Sequence, residues 1–246
     1  EIQAYLQRVA RESGVLDRVE LHTAFVDAAW DDTTQRWSVV TEGPEGRTTW
    51  TSRTLLMGAG SLSEPRLPDI EGIDDFAGEV FHSARWDHSV DLRGKRVAVI
   101  GTGASAIQIV PELQEVVSHL DLYQRTAPYV LPRHDRRYSS VEKAALRHVP
   151  GLQRAYRSAI YWGRETYVPA FTVDARIALP AKKAALANLR KAVTDPELRE
   201  RLTPTFELGC KRVLISNRYY PAVASDNVDL VTDPITRVTA RGVVTA

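Results

Sequence analysis

Gly101, Gly103 and Ala106 stand with the spacing that a phosphate-binding turn requires. In a strand-turn-helix-strand unit the first glycine permits the tight turn, the second lets backbone approach a pyrophosphate, and the third small residue lets helix pack on strand. A helix opening near Ala104 aims unpaired N–H groups and the positive end of its dipole at the phosphates. The candidate cradle is Gly101, Thr102, Gly103, Ala104, Ser105, Ala106, Ile107 and Gln108. A glycine-rich turn also arises by chance as plain structure. Here it follows the apolar run Val97 to Ile100, suited to a strand buried on both faces, and precedes a helical pattern to about Val117 and a strand Leu120 to Tyr123.

The next chemistry lies at the end of that second strand, in Gln124-Arg125-Thr126. Enzymes using NAD usually place an acid there for the ribose 2′-hydroxyl. A guanidinium at Arg125 instead suits the 2′-phosphate of NADP, through charge-assisted bonds each worth roughly 1.5–3 kcal/mol. NADP is favoured over NAD, with a solvated surface arginine as the alternative. A second basic pair, Lys211-Arg212, precedes another apolar run; taken alone, such a pair is a surface feature.

The totals bound these readings. In 246 residues, 32 Lys+Arg balance 31 Asp+Glu for a net charge of +1, which provides no long-range field for nucleic acid or an anionic membrane. One cysteine, Cys210, excludes an internal disulfide and a paired-cysteine redox centre, and suits a reducing, cytoplasmic compartment. It reads as a small apolar filler. Apolar runs are short and broken by charge, so no membrane span or signal peptide is expected, and no metal-ligand pattern stands out.

The elements follow from periodicity. Ile2, Leu6, Val9 and Ala10 predict a helix ending before Gly14; Val19 to His22, Phe25 to Trp30 and Trp37 to Val40 predict strands of a meander, with Thr54 to Met57 as a further strand. Trp30 and Trp37 read as a cross-strand pair in a core. From 139 to 202 the pattern is mostly helical: Ser139 and Glu142 are spaced as a capping box, Asp195-Pro196 as cap and first helical residue, and Pro150-Gly151 and Pro180 as breaks. Arg212 to Ile215, Val228 to Val231 and Ile235 to Thr239 return to strand.

Phe76-Ala77-Gly78-Glu79-Val80-Phe81-His82-Ser83-Ala84-Arg85-Trp86-Asp87 narrows the field. It resembles the fingerprint FxGxxxHxxxW(P/D) of type I Baeyer–Villiger monooxygenases, of the flavin-containing monooxygenase superfamily, on Phe76, Gly78, His82, Trp86 and Asp87. Leu56 to Gly60, Pro65 and Pro68 to Gly72 resemble the family's exit from its FAD domain, and Ser63 to Pro68 reads as a proline-punctuated connector. Gly209-Cys210-Lys211-Arg212, Ser216-Asn217 and Tyr219-Tyr220-Pro221 are similar to the segment bearing its active-site lysine and arginine. The similarity is weakest from about 134 to 202.

The resemblance implies an α/β flavoprotein with two dinucleotide-binding domains: a partial FAD-binding domain at 1–75, the fingerprint linker at 76–91, and a Rossmann-like NADP-binding domain at 92–246 with a helical insertion at about 134–202. It implies FAD and NADP as cofactors. It implies insertion of one oxygen atom from O2 into a ketone, through a C4a-peroxyflavin, to give an ester or lactone. Arg212 takes the catalytic place, a permanent cation beside negative oxygen; Arg125, Thr126 and Lys211 read the 2′-phosphate. His82 invites the role of a base, and is expected instead to anchor the linker or couple domain movement, with Trp86 beside it. Backbone near Phe25 and Val26 corresponds to the family's adenine contact. Tyr156, Tyr161, Trp162, Tyr167 and Phe171 line a substrate cavity or simply pack.

The family's N-terminal GxGxxG turn and C-terminal flavin segment are not in the sequence, and Glu1 rather than Met opens it, so a chain truncated at both ends, inactive and poor in FAD binding, is expected. Gly58-Ala59-Gly60 departs from the commoner Ala-Thr-Gly. An amine- or sulfur-oxygenating flavin monooxygenase and a non-catalytic NADP-binding module are the alternatives.

Overall fold

The computed structural model describes residues 2–60, 64–133, 135–166, 168–169 and 174–246. Ser63, Tyr167 and Phe171, used in the sequence reading, lie outside them. The chain divides into two compact units, Glu1–Glu64 and Pro65–Ala246.

In the first unit, α1 (Ile2–Glu12) is stopped by Gly14, whose φ of 67° is cheap only for glycine. The strand expected over Val19 to His22 does not form, and His22 itself has φ 55°, outside any strand conformation. The meander consists of β1 (Ala24–Asp31), β2 (Arg36–Gly43) and β3 (Gly46–Ser52), antiparallel in sequence order. Trp30 and Trp37 face each other across β1 and β2 with ring centroids 5.5 Å apart. The pair is real, but Trp30 is 40% exposed, so it lies on an open face and not in a core. No described residue of this unit is buried.

The short strand expected at Thr54 to Met57 does not form, and β3 at Gly46–Ser52 was not foreseen. A strand persists only where a ladder partner accepts it. The free edge of β2 is filled by β3, in register from Trp37 opposite Ser52 to Gly43 opposite Gly46. Thr54 to Met57 has no ladder partner among the described residues, and Leu56 is 88% exposed.

The second unit is α/β. β4 (Arg96–Ile100), α2 (Ala106–Gln114) and β5 (His119–Tyr123) form the expected strand-helix-strand unit, and β8 (Val228–Val231) joins to give a parallel sheet ordered β4-β5-β8. α2 ends at Gln114, short of the expected Val117. Between β5 and β8 the chain forms β6 (Val130–Leu131), α3 (Ser140–His148), α4 (Leu152–Glu165), α5 (Leu179–Ala192), α6 (Pro196–Arg201), β7 (Leu214–Ile215) and α7 (Tyr219–Val223). β9 (Ile235–Thr239) and β10 (Gly242–Thr245) close the chain as an antiparallel pair.

The caps read from sequence are present. Ser139 and Glu142 make the reciprocal capping box of α3, and the Asp195 carboxylate accepts from the amides of Glu197 and Leu198 at the start of α6. Pro180, expected to break the helical stretch, occupies the first turn of α5, where its missing N–H costs nothing. The strand expected from Arg212 shrinks to Leu214–Ile215. The core gathers Val110 of α2, Leu120 and Leu122 of β5, Leu189 of α5, Tyr219 of α7 and Leu230 of β8, with Trp86 packed against it. By contrast α3 and α4 bury no residue. No helix of the described residues is long and apolar enough to cross a membrane.

Candidate functional site

The turn after β4 is built for close approach. Gly101 has φ 108°, in the range that favours glycine, and a Cβ at Gly101 or Gly103 would meet no heavy atom within 4 Å, so open space lies over both. Ala106 and Ile107 are buried beneath the turn, whereas Gly103, Ser105 and Gln108 are exposed. Among the described residues, the amides of Gly103, Ala104 and Ser105 donate to no backbone carbonyl or side chain. Those of Ile107 and Gln108 are engaged by Gly103 O at 3.1 Å and Ser105 O at 3.0 Å, and the Gln108 side chain donates to Ala104 O at 2.8 Å. Three free N–H groups at the start of α2 therefore form an anion-accepting cradle.

The loop after β5 is bound to that turn. The Gly101 amide donates to Tyr123 O at 2.9 Å, and the Thr102 hydroxyl donates to Thr126 O at 3.2 Å. Arg125 lies between these ties, exposed and in no ion pair among the described residues. Its guanidinium is thus carried on a loop tied to the open glycine turn.

Lys211 and Arg212 lie just before β7, which backbone pairing joins to β6. β6 and β7 run parallel with Val130 opposite Leu214, and the Leu214 amide donates to Tyr129 O at 2.9 Å. Asn217 completes the join: its side-chain carbonyl accepts from the Arg133 amide and its NH2 donates to Arg133 O, both at 2.8 Å. The Lys211 ammonium sits 4.9 Å from the centre of the Phe206 ring, which meets Tyr129 edge-on. Lys211 and Arg212 are exposed, and neither is in an ion pair among the described residues. Cys210 is exposed as well, so the filler reading is corrected: beside a surface lysine there is no core for its thiol to fill.

The fingerprint residues act on backbone. The Phe76 ring covers Gly78, and the Ala77 amide donates to Ala240 O at 3.1 Å, laying the linker along the terminal hairpin. His82 caps the helical turn Ser83–Arg85, its Nδ1 accepting from the Ala84 amide at 3.0 Å. Trp86 packs on the core and meets Phe81 edge-on at 5.0 Å. The Ser89 hydroxyl, then the Ser89 amide, hold the Asp87 carboxyl below its ordinary pKa.

Other candidates lie apart from the turn. His119 bridges Asp121 and Asp229 at 3.2 and 3.3 Å across the amino-terminal part of the parallel sheet, with Arg96 on Asp121. Tyr156, Tyr161 and Trp162 on α4 are 39%, 57% and 68% exposed, so none lines an enclosed cavity in this unit. In the first unit, Phe25 and Val26 fall at a β-bulge, where the register of β1 on β2 shifts.

Several joints escaped sequence reading: Thr102 to Thr126, Asn217 to Arg133, and the Arg218 guanidinium on Glu112 of α2 and Glu115 just past its end. Gln124 had a usable signal, because strand alternation puts it on the face of Leu120 and Leu122.

The model of the family described as flavin-binding monooxygenase-like matches residues 1–143. The chain belongs to the flavin-binding monooxygenase-like family. It is 42% identical over 244 residues to a Baeyer-Villiger monooxygenase of Pseudomonas aeruginosa, covering 99% of this chain and 46% of that protein. A Baeyer-Villiger monooxygenase of Streptomyces coelicolor is 43% identical over 245 residues, with 100% and 46% covered. Among solved structures, OTEMO in complex with FAD and NADP superposes with a TM-score of 0.82 at 29% identity, over 99% of this chain and 53% of that one. Oxidized steroid monooxygenase bound to NADP gives 0.81 at 30% identity, with the same coverage. The chain thus spans about half the length of the curated relatives it matches.

Proposed function

We propose that this chain is the nucleotide-handling part of an FAD- and NADPH-dependent monooxygenase of the Baeyer–Villiger type, acting on a ketone with O2. The observation that carries the reading is the open glycine turn, with its free amides, beside the unpaired guanidinium of Arg125.

The residues fit NADP. The Gly101–Gly103 turn leaves room for a pyrophosphate, and the free amides of Gly103, Ala104 and Ser105 would hold its oxygens. Arg125, with Thr126 and Lys211, would take the 2′-phosphate, which explains a basic loop where NAD readers carry an acid. Fewer residues address FAD: the backbone at the Phe25–Val26 bulge is the candidate for its adenine end, and 1–75 would be part of that domain, with 76–91 as linker and 92–246 for NADP.

When bound, the cofactors supply hydride and the reduction of dioxygen. Arg212 supplies what the protein must add, a cation that stays charged at every working pH and stabilises negative charge developing on oxygen. The helical insertion at about 134–202 would help select the ketone.

The full protein, given NADPH, O2 and a panel of ketones, amines and sulfides, should convert ketone to ester or lactone. Arg212→Ala should abolish that product while NADPH still reduces the flavin. Amine or sulfide oxygenation without ketone turnover would overturn the substrate class, and normal ester formation by the variant would overturn the role of Arg212.

A further inference from the structure

We infer that Gln124 is a positioning residue for the loop that reads the 2′-phosphate, and that through it the selectivity for NADP is keyed to α6, the last helix of the helical insertion. The inference rests on the proposed reading of Arg125. It assigns a task to a side chain that would touch no ligand and to a helix whose part in nucleotide choice was open.

Gln124 occupies a core position with a polar group. Leu120 and Leu122 on the same face of β5 are fully buried, and Gln124 is only 5% exposed. Its Nε2 donates to Arg201 O at the end of α6, at 2.8 Å, whereas its Oε1 is buried with no partner among the described residues. A buried acceptor without a partner is a cost. Methionine, of similar length, would fill the place without that cost, so packing alone does not call for glutamine here. What methionine would lose is the donor to Arg201.

That donor closes a circuit at the carboxyl end of the sheet. The Gln124 amide donates to Val231 O at 2.8 Å, fixing the end of β5 on β8. Its side chain holds the Arg201 carbonyl, and the Arg201 guanidinium donates back to Leu230 O, also at 2.8 Å. The far end of α6 is fixed by the Asp195 cap, and Leu202 behind it is fully buried. β5, α6 and β8 are therefore locked together at one point, and the next residue in the chain is Arg125.

Arg125 has no ion pair of its own among the described residues, so its backbone sets where its charge stands. On one side that backbone is held by Gln124, on the other by the Thr102 hydroxyl on Thr126 O. A charge-assisted hydrogen bond depends steeply on distance and angle, so a loosened loop loses phosphate affinity while the rest of the nucleotide site stands. Loss of the Gln124 tie should act on the 2′-phosphate alone.

The test measures binding of adenosine 2′,5′-bisphosphate and of 5′-AMP to the full protein by calorimetry, with the thermal midpoint recorded for each variant. Arg125→Ala should lower the ratio of the two affinities by about ten- to a hundredfold. Gln124→Met should lower it by roughly three- to tenfold, with 5′-AMP affinity unchanged and the thermal midpoint equal or higher. If Arg125→Ala leaves the ratio intact, the reading of Arg125 fails. If Arg125→Ala lowers the ratio and Gln124→Met does not, or if Gln124→Met weakens both ligands alike with a fallen midpoint, the positioning role is overturned. Should Gln124→Met not fold, Arg201→Met decides: it keeps the carbonyl that Gln124 holds but removes the guanidinium that ties Arg201 to Leu230 O, so the Gln124 anchor loosens, and a parental ratio there overturns the inference.

Discussion

The Phe76 ring lies where a side chain at Gly78 would have to be: a Cβ there would sit 2.5 Å from Cε1 of that ring. A phenylalanine and a glycine two residues apart in the fingerprint are thus one packing unit. Gly72 is tighter, since its φ is 73° and a Cβ would overlap the Val238 carbonyl of the terminal hairpin.

These two glycines should respond differently to a methyl group. Gly78→Ala asks only that a ring tip swing aside and should cost roughly 1 kcal/mol. Gly72→Ala meets backbone in a conformation that disfavours a side chain, and should cost about 2–4 kcal/mol. Urea unfolding of both variants checks the order; equal losses would show that the linker is not laid on the hairpin as described.

Lys211 should matter to NADP and little to NAD. Removing a single cation that contacts a phosphate predicts a loss of roughly tenfold in NADP affinity for Lys211→Ala. Phe206→Leu, which takes away the ring beneath the ammonium, should give a smaller loss in the same direction. Titration with both nucleotides, repeated at raised salt, is the measurement, and an equal effect on NAD would count against a 2′-phosphate contact.

Glu142 gives α3 an acid-sensitive start. The Arg136 guanidinium, then the Ser139 amide, bring its carboxyl from its ordinary 4.5 to about 2. A carboxyl depressed in the folded state contributes stability that is fully present above its unfolded pKa and is lost as pH falls through the folded one. The protection of the α3 amides, measured relative to their intrinsic exchange rates at each pH, should therefore fall as pH drops from about 4.5 toward 2. Arg136→Gln, which raises the folded pKa toward the unfolded one, should make that loss smaller and complete it at a higher pH.

Asn217 is expected to hold the base of the insertion. Its amide answers both backbone groups of Arg133, so Asn217→Leu leaves a donor and an acceptor to find water and should cost about 1–2 kcal/mol. If the cost is real and local, protection of the Leu214 and Ser216 amides falls with it, because both donate into β6 and its flank.

What the sequence disclosed was local. The turn at Gly101 to Ala106, the caps at Ser139 and Asp195, and the alternation of β5 depend on residues a few positions apart, and each is present. Strand character alone did not tell which segments find a partner: Val228 to Val231 does, on β5, and Thr54 to Met57 does not among the described residues. Thr54 to Met57 has the apolar character of a strand, whereas Gly46–Ser52 is polar and hidden to a hydrophobicity reading, though Pro44-Glu45 between two glycines marks its hairpin. The join of Arg133 to Asn217 and of Gln124 to Arg201 spans 84 and 77 positions, and nothing in either segment announces the other. The basic residues were legible as types, but their freedom from acidic partners became visible only in three dimensions.

The two helices between Ser140 and Glu165 contribute nothing to the core, while Leu189 and Val193 behind them anchor the sheet. Truncating an apolar side chain of α3 or α4 to alanine therefore opens no cavity within this chain, and each such change should cost far less than Leu189→Ala.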